Sequence, residues 1–465
     1  MKITYVFLGI MLLSLMIKAQ DKIRPNVVFI VVDDMNTWSI LKDYAPLKTP
    51  YIDKLKSESL NFINAVCAVP VCIPSRTSFF TGIAAYHTGA YFNNQNTWNS
   101  SLLSKTEVMP ETFKISGYTT WGRGKIFHVE INGNREKEMF DNKVMKGGFG
   151  PFAEKEYWYA KTQWFSIKPW TGPDTDFPDV RNANAAIDFF KEKHDKPFFM
   201  YYGLFRPHSP YTAPKRFYDL YKDEDIKLPP GYLENDLDDI PLMGRELVDS
   251  MKKYSKEGLS KKEVWLKMMK GYCANTSFAD WNVGRVLQEL DNSEYGKNTI
   301  VIFVSDNGFH NGTKDHWVKA TLWEQADKVP FLIRMPDKKA YVLPQTVSLV
   351  DIYPTLIEYC SLKPTNHKLD GNSMVPIFNN PKFKWNTPGF SCYGENYSSV
   401  RDERYRYIRY PDGSDELYDH STDPYEHKNI SQKTSSKEII KKLSVSIPSK
   451  FAISLGGKKE LQSED

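Results

Sequence analysis

The sequence predicts an α/β protein with a large, mostly parallel sheet flanked by helices, followed by a smaller domain with an antiparallel sheet. First, apolar runs typical of buried strands alternate with helical segments along most of the chain. Second, this pattern changes to short strands and turns shortly after residue 380. Third, a chain of 465 residues can bury a sizeable core and is too long for one minimal domain.

Three β-branched or aromatic apolar runs predict buried parallel strands at residues 24–34, 196–211 and 298–308. Each run ends abruptly in polar residues. The segment 49–62 has helical spacing, and residues 265–292 predict a long amphipathic helix that leads into the third strand. The alternation of strand, helix and strand favours a parallel sheet with helices on its faces.

The last part of the chain predicts a different architecture. Residues 390–410 and 414–427 have the pattern of short antiparallel strands joined by turns. We therefore predict a signal peptide over residues 1–19, a catalytic α/β domain over 20–380 and a smaller α+β domain over 381–465.

The N-terminal segment predicts export. Lys2 precedes an apolar run from Ile3 to Ile17, and Ala19 offers a small residue for cleavage. The run is short for a bilayer-spanning helix, although an uncleaved N-terminal anchor is the alternative. No later segment of the sequence is long and apolar enough to span a membrane. We expect a periplasmic or secreted protein with no membrane span in the mature chain.

Composition excludes some functions and limits others. The net charge is +4, from 61 basic and 57 acidic residues spread along the chain, so we expect no nucleic-acid partner. Aromatic residues make up 14%, which suits core packing and also sugar stacking. Five cysteines are too few for a disulfide scaffold, and at most two pairs could form, with one thiol left over. These cysteines are Cys67, Cys72, Cys273, Cys360 and Cys392.

Acidic and amide side chains follow two of the predicted strands. Asp33 and Asp34 end the first strand, and Asp306 and Asn307 end the third. Ligands bind beyond the carboxyl ends of strands in such sheets, so these oxygens are expected to meet there. An all-oxygen set suits a hard divalent cation such as calcium, whereas isolated acids at these positions would merely cap the next helix.

The most specific motif is a short run around one cysteine. The run CIPSR extends from Cys72 to Arg76, and Thr81 and Gly82 follow. It resembles the signature of type I sulfatases, members of the alkaline phosphatase superfamily, with Phe80 where leucine is usual. The resemblance implies an alkaline-phosphatase-like sandwich. It also implies that a formylglycine-generating or anaerobic maturation enzyme converts Cys72 to formylglycine, whose hydrate attacks sulfur.

The same resemblance implies a set of site residues. One calcium ion would be held by the strand-end oxygens and by residue 72 itself. His128 would act as the base for sulfate release. His208 would act as the acid for the leaving group, together with Lys319. By this resemblance the metal ligands are Asp33, Asp34, Cys72, Asp306 and Asn307, and the catalytic residues are Cys72, Arg76, Lys125, His128, His208 and Lys319.

Within the family, the chain is most similar to the iduronate-2-sulfatase-like branch. The similarity rests on the runs GKIFH, RPH and WVK that end at His128, His208 and Lys319. That branch often has Gly-Glu-His-Gly where this chain has GTKD at 312–315, which leaves the substrate open. His310 and His316 lie nearby and are candidates for substrate binding, although either could be an ordinary loop histidine.

Three functions remain to be compared. The first is an exported sulfatase that acts on a sulfated poly- or oligosaccharide, either a glycosaminoglycan or an algal polymer such as ulvan. The second is a phosphate or phosphonate ester hydrolase of the same superfamily. The third is a sugar-binding pseudoenzyme. The complete set of motif residues argues against a pseudoenzyme, and the lack of extra histidine ligands for two zinc ions argues against an alkaline phosphatase.

Overall fold

The computed structural model describes residues 24–129, 131, 133–142, 147–152, 166–249, 256 and 258–456. The predicted signal peptide, residues 1–19, lies outside the described residues, and both it and export stay predictions. Within the described ranges, no helix is sufficiently long and apolar to cross a bilayer.

The core of the fold is a seven-stranded sheet. Its strands are β1 (Asn26–Asp33), β2 (Leu60–Val66), β3 (Thr119–Gly124), β4 (Phe198–Pro207), β5 (Thr299–Ser305), β6 (Phe331–Arg334) and β7 (Tyr341–Ser348). Their order is β3-β4-β1-β5-β6-β2-β7, and β6 runs antiparallel to both of its neighbours while the other pairs are parallel. The central strands β1, β4 and β5 are buried along their whole length, as apolar parallel strands require.

Helices cover both faces of this sheet. Phe29 of β1 belongs to a core cluster with residues of α3, α5 and α12, whereas Val28 packs with residues of α2, α7 and α10 on the other face. The predicted α/β class is therefore confirmed. The helices are α1 (Trp38–Leu41), α2 (Pro50–Ser57), α3 (Cys72–Thr81), α4 (Ala85–Thr88), α5 (Met109–Ile115), α6 (Arg135–Met139), α7 (Pro178–Lys191), α8 (Lys215–Tyr218), α9 (Leu242–Asp249), α10 (Lys261–Asn292), α11 (Glu324–Asp327), α12 (Ile352–Tyr359), α13 (Val375–Asn379) and α14 (Lys437–Ser444).

One predicted element differs from the structure. The helical pattern over residues 49–62 holds only as far as Ser57, and β2 begins at Leu60. Leu60 pairs with Ile333 of β6 and Tyr341 of β7, so the sheet determines the conformation there. Local spacing could not reveal this, because pairing with distant strands overrides a short helical pattern.

A second sheet follows in the chain. Its strands are β8 (Gly389–Cys392), β9 (Ser398–Arg401), β10 (Tyr405–Arg409) and β11 (Asp415–Asp419), all antiparallel in the order β11-β10-β9-β8. Strand β8 lies beside β2 and β7 of the large sheet. Leu443 of α14 packs on Val400 and Tyr407 of the small sheet. The antiparallel sheet agrees with the predicted fold class, while the boundary at residue 381 stays a prediction.

A buried cluster of charges joins α11 to the small sheet. The Arg406 guanidinium of β10 is fully buried and lies 2.5 Å from Glu324 Oε2 and 2.9 Å from Glu426 Oε1. It also forms an ion pair with Asp327. Burial alone would lower the pKa of Arg406, but the surrounding carboxylates outweigh it and raise that pKa. Because Glu324 and Asp327 belong to α11, this arginine fixes α11 against the small sheet.

We expect Arg406→Ala to lower the free energy of unfolding by about 3–5 kcal/mol, since it leaves buried carboxylates without their cation. Denaturant unfolding followed by circular dichroism measures the loss. Arg404→Ala is the matched control, because its 2.7 Å ion pair with Asp419 involves a largely exposed arginine, and solvent-exposed ion pairs contribute little to stability. Similar small losses for both variants would contradict the role of Arg406.

Candidate active site

The strand-end oxygens meet at the carboxyl edge of the large sheet. Strands β1 and β5 are parallel neighbours, so Asp33 and Asp34 lie next to Asp306 and Asn307. The Asp34 backbone N–H donates to Asp306 Oδ1 at 3.3 Å, and Asn307 Nδ2 donates to Asp34 Oδ1 at 2.7 Å. All four side chains are buried.

Cys72 is the first residue of α3 and points at this group of acids. Its Sγ lies 3.5 Å from Asp33 Oδ1 and 3.9 Å from Asp34 Oδ1, and Lys319 Nζ is 2.9 Å away. Burial, followed by the charge of Asp33, raises the pKa of the Cys72 thiol well above its ordinary value. An unmodified thiol here is therefore a poor nucleophile, and Sγ marks where the atoms of a modified side chain would stand.

Three buried cations pair with the three carboxylates. They come from α3, from the segment after β3 and from the loop after β5, so three separate parts of the chain converge here. Each carboxylate has one cation in direct contact, and Arg76 Nη2 also lies 3.7 Å from Asp33 Oδ1. The pairs are Arg76 Nε–Asp306 Oδ2 at 2.8 Å, Lys125 Nζ–Asp33 Oδ2 at 2.5 Å and Lys319 Nζ–Asp34 Oδ1 at 2.7 Å.

Two histidines stand beside the cations. The His208 Nδ1 atom lies 2.7 Å from the carbonyl oxygen of Ser209, so it donates there and Nε2 is left 3.6 Å from Asp34 Oδ2. Burial lowers the pKa of His208 to about 3. Burial and the nearby Lys125 lower the pKa of His128 well below its ordinary value. Burial therefore disfavours the protonated form of both imidazoles.

Several residues that sequence reasoning missed shape the site. The Phe149 ring lies 4.6 Å from the ring of His208, and Tyr201 Oη is 3.0 Å from Arg76 Nη1. Asn275 of α10 donates through Nδ2 to the carbonyl of His208 at 3.2 Å and to two carbonyls beside it. The only available signal was the glycines around Phe149, which indicate a turn but no function.

His310 and His316 lie in the loop between β5 and α11 and are buried. The His310 ring nitrogens lie 2.9 Å from Thr313 Oγ1 and 2.6 Å from Thr321 Oγ1. His316 Nε2 lies 2.7 Å from the carbonyl of Lys319. Both histidines thus support the loop that carries Lys319, and their predicted role in substrate binding stays a prediction.

The acids fit a hard divalent cation. Ligand atoms of Asp33, Asp34, Cys72 and Asp306 lie within 4.8 Å of one another. Among the described residues, the buried atoms Asp34 Oδ2 and Asn307 Oδ1 have no hydrogen-bond partner, although both are strong acceptors. Unsatisfied buried oxygens are costly, and a bound cation would satisfy them. The donor set is mainly oxygen, as calcium prefers.

The structure describes all five cysteines, and each is free and buried. The two disulfide pairs that an oxidising compartment would permit are therefore not formed. The site thus depends on packing and ion pairs for its geometry.

A mostly parallel sheet with paired acids, cations and imidazoles at its carboxyl edge has the groups that hydrolysis of an anionic ester requires: oxygens for a divalent cation, positive charge for the ester oxygens and imidazoles for proton transfer. The profile of the sulfatase family matches residues 25–361, and that of the C-terminal part of N-sulphoglucosamine sulphohydrolase matches 312–451. The chain belongs to the sulfatase family and is a sulfuric ester hydrolase. The resemblance to type I sulfatases is confirmed.

Curated relatives agree with this assignment. A sulfatase of Formosa agariphila is 33% identical over 96% of this chain and 91% of its own length. An ulvan-active sulfatase of the same organism is 28% identical over 94% of this chain and 83% of its own length. The iduronate 2-sulfatase of Homo sapiens is 29% identical over 76% of this chain and 67% of its own length.

Solved structures share the fold. A protein in complex with its substrate D-glucosamine-2-N,6-O-disulfate has a TM-score of 0.71 at 20% identity, over 91% of this chain and 96% of the other. A phosphonate monoester hydrolase from Silicibacter pomeroyi has a TM-score of 0.72 at 19% identity, over 91% of this chain and 94% of the other. At these identities the likeness concerns the fold alone.

Proposed function

We propose that this sulfatase removes sulfate from a sulfated poly- or oligosaccharide, with formylglycine derived from Cys72 and one calcium ion. The observation that carries the proposal is the position of Cys72 Sγ, 2.9 Å from Lys319 Nζ and beside Asp33 and Asp34. The relative named as ulvan-active and the iduronate 2-sulfatase support a saccharide substrate. Glycosaminoglycans and algal polymers such as ulvan are both candidates.

Modification of Cys72 explains why a buried, unreactive thiol lies at the centre of the site. A buried thiol with a raised pKa does little chemistry, whereas a hydrated aldehyde offers one hydroxyl to attack sulfur and a second to expel sulfate. Because Cys72 is 0% exposed, the maturation enzyme must act before the chain folds around this residue.

The charges suit an anionic substrate. Asp33, Asp34, Asp306, Asn307 and residue 72 would hold the calcium ion, which supplies positive charge to the sulfuryl oxygens when bound. The three carboxylates are already matched by three cations. A divalent ion therefore leaves the site with net positive charge, which favours a sulfate ester and the charge that develops on its oxygens.

The two histidines have separate tasks in this proposal. His208 protonates the leaving oxygen of the sugar, with Lys319 beside it, because a sugar alkoxide is a poor leaving group. Since Nδ1–H donates to the carbonyl of Ser209, this role requires a second proton on Nε2, and the negative charge of the bound sulfate ester favours that protonated form. His128 accepts the proton whose removal releases sulfate. The Nε2 edge of His208 faces the acids, since its Nδ1 atom is engaged with the carbonyl of Ser209.

The nucleophile is tested at residue 72. We expect Cys72→Ser to lose activity by orders of magnitude, because a serine hydroxyl can attack once but has no second hydroxyl with which to expel sulfate. Peptide mass analysis of active wild-type enzyme should show the aldehyde or its hydrate. Cys67→Ser is the matched control, a buried cysteine five positions upstream, and should stay active. Full turnover by an enzyme that is entirely Cys72 thiol would refute the assignment.

The metal is tested at Asp306. We expect Asp306→Asn to fold but to bind calcium much more weakly, since it loses one charged ligand, and equilibrium dialysis with calcium measures this. Chelation should likewise abolish turnover by the wild type, and added calcium should restore it. Asp280→Asn is the matched control, since its carboxylate is also buried but accepts from the Ile52 backbone N–H at 2.7 Å, where α2 and α10 pack on the opposite face of the sheet from α3. Unchanged calcium binding by Asp306→Asn would show that the ion, if any, binds elsewhere.

The roles of His208 and His128 can be distinguished with two substrates that differ in their leaving group. We expect His208→Ala to reduce turnover of a sugar sulfate by about 10²–10⁴-fold and to affect an activated aryl sulfate far less, since an aryl oxide needs little protonation. His128→Ala should slow both substrates alike, because sulfate release is common to them. Steady-state kinetics on one substrate of each kind measures both variants. A selective loss in His128→Ala and equal losses in His208→Ala would mean that the roles are exchanged.

A further inference from the structure

We infer that Phe149 is a positioning residue that holds the His208 imidazole in the orientation needed to protonate the leaving oxygen. The inference rests on the proposed acid role of His208. It concerns a side chain that belongs to none of the sequence motifs and has no reactive group of its own.

The Phe149 ring contacts the polar side of the site at three places. Its centroid lies 4.6 Å from that of His208 with an interplanar angle of 44°, and 6.1 Å from that of His128. The Lys125 ammonium group lies 4.9 Å from the same ring, within cation–π range. One half-buried aromatic side chain therefore packs against two imidazoles and a cation of the site.

Phe149 is itself fixed by the segment that carries His208. Arg206 donates through Nη2 to the carbonyl of Phe149 at 2.8 Å and through Nε to that of Thr212 at 3.1 Å. The Phe149 ring also meets Phe205 edge-on at 5.1 Å. Arg206, the first residue of the Arg-Pro-His run, thus binds backbone carbonyls. Through the carbonyl of Phe149 it holds the Phe149 ring against His208.

The His208 imidazole requires an apolar side chain packed against its face. The backbone of His208 is tied to Asp33 by a 3.1 Å hydrogen bond, and its Nδ1 is tied to Ser209, but neither contact fixes the faces of the ring. Phe149 packs against the ring without competing for Nε2, as a polar side chain would. Without Phe149, we expect the imidazole to sample other rotamers and water to enter beside it, and small misplacements of a catalytic group reduce rates steeply.

The experiment measures kcat and KM for Phe149→Ala, Phe149→Tyr and wild type on one sugar sulfate and one activated aryl sulfate. We expect Phe149→Ala to lower kcat on the sugar sulfate by about 10–100-fold, with less loss on the aryl sulfate and little change in KM. Phe149→Tyr should retain the wild-type rates, because the ring is kept. Phe390→Ala is the matched control, because the Phe390 ring, on β8 of the small sheet, is also half-buried and its centroid lies 5.3 Å from that of Tyr86 in α4.

A double-mutant cycle gives the decisive result. If Phe149 acts through His208, Phe149→Ala should cost little further activity in a His208→Ala background. Independent losses that multiply, or equal losses on both substrates, would overturn the inference and indicate a structural role only. If Phe149→Ala does not fold, Phe149→Leu keeps most of the apolar volume and serves in the same cycle. A wild type that hydrolyses no sulfate ester would instead refute the proposed function, and this inference with it.

Discussion

Three carboxylates buried at the ends of two adjacent parallel strands are the constraint on which the rest of the structure depends. An unpaired buried charge is very costly, so Asp33, Asp34 and Asp306 each require a cation at close range. The cations come from three segments that are distant in sequence, and each segment must fold correctly for the charges to match. Replacing buried ion pairs with well-packed apolar residues often leaves a fold equally stable, so stability alone does not explain this arrangement of charges. Hydrolysis of an anionic ester does explain it, because that reaction requires these charged groups.

The small sheet is part of the support for this arrangement. Lys319 belongs to a loop in which the buried Lys314 lies 3.2 Å from Asp236 Oδ1 and contacts the carbonyl of Glu426, close to the small sheet. Trp323, just before α11, donates to Glu416 of β11 at 2.8 Å. The loop that brings a cation to the nucleophile is thus anchored by residues beyond position 381. A chain cut there would lose the partners of buried charges, so we expect the segment before residue 381 to be less stable without the segment that follows it.

The parts of the site that sequence reasoning reached are those with a local signal. Asp33 and Asp306 end apolar strands, and parallel strands bring such ends together, so their meeting could be inferred from the pattern. Cys72 was reached through its motif. Phe149 could not be reached, because its ring meets His208 only through a tertiary contact held by Arg206. Strand β2 was missed for the same kind of reason, since its partners lie about 270 residues later in the chain.

Two residues of the site have a strained backbone conformation. Asp34 and His128 have φ values of 62° and 68°, in the left-handed region that costs a non-glycine residue about 1–3 kcal/mol. Glycine would relieve this strain, and the chain does use it nearby: Gly124, just before Lys125, has φ 83° and a close neighbour in the carbonyl of Gly203 that leaves no room for a Cβ. Asp34 and His128 keep their side chains despite the strain, and the proposed function gives a reason for each, since it requires a carboxylate and an imidazole at these positions. Strain alone does not mark a functional residue, because Ala320, next to Lys319, also has a left-handed backbone, with φ 68°.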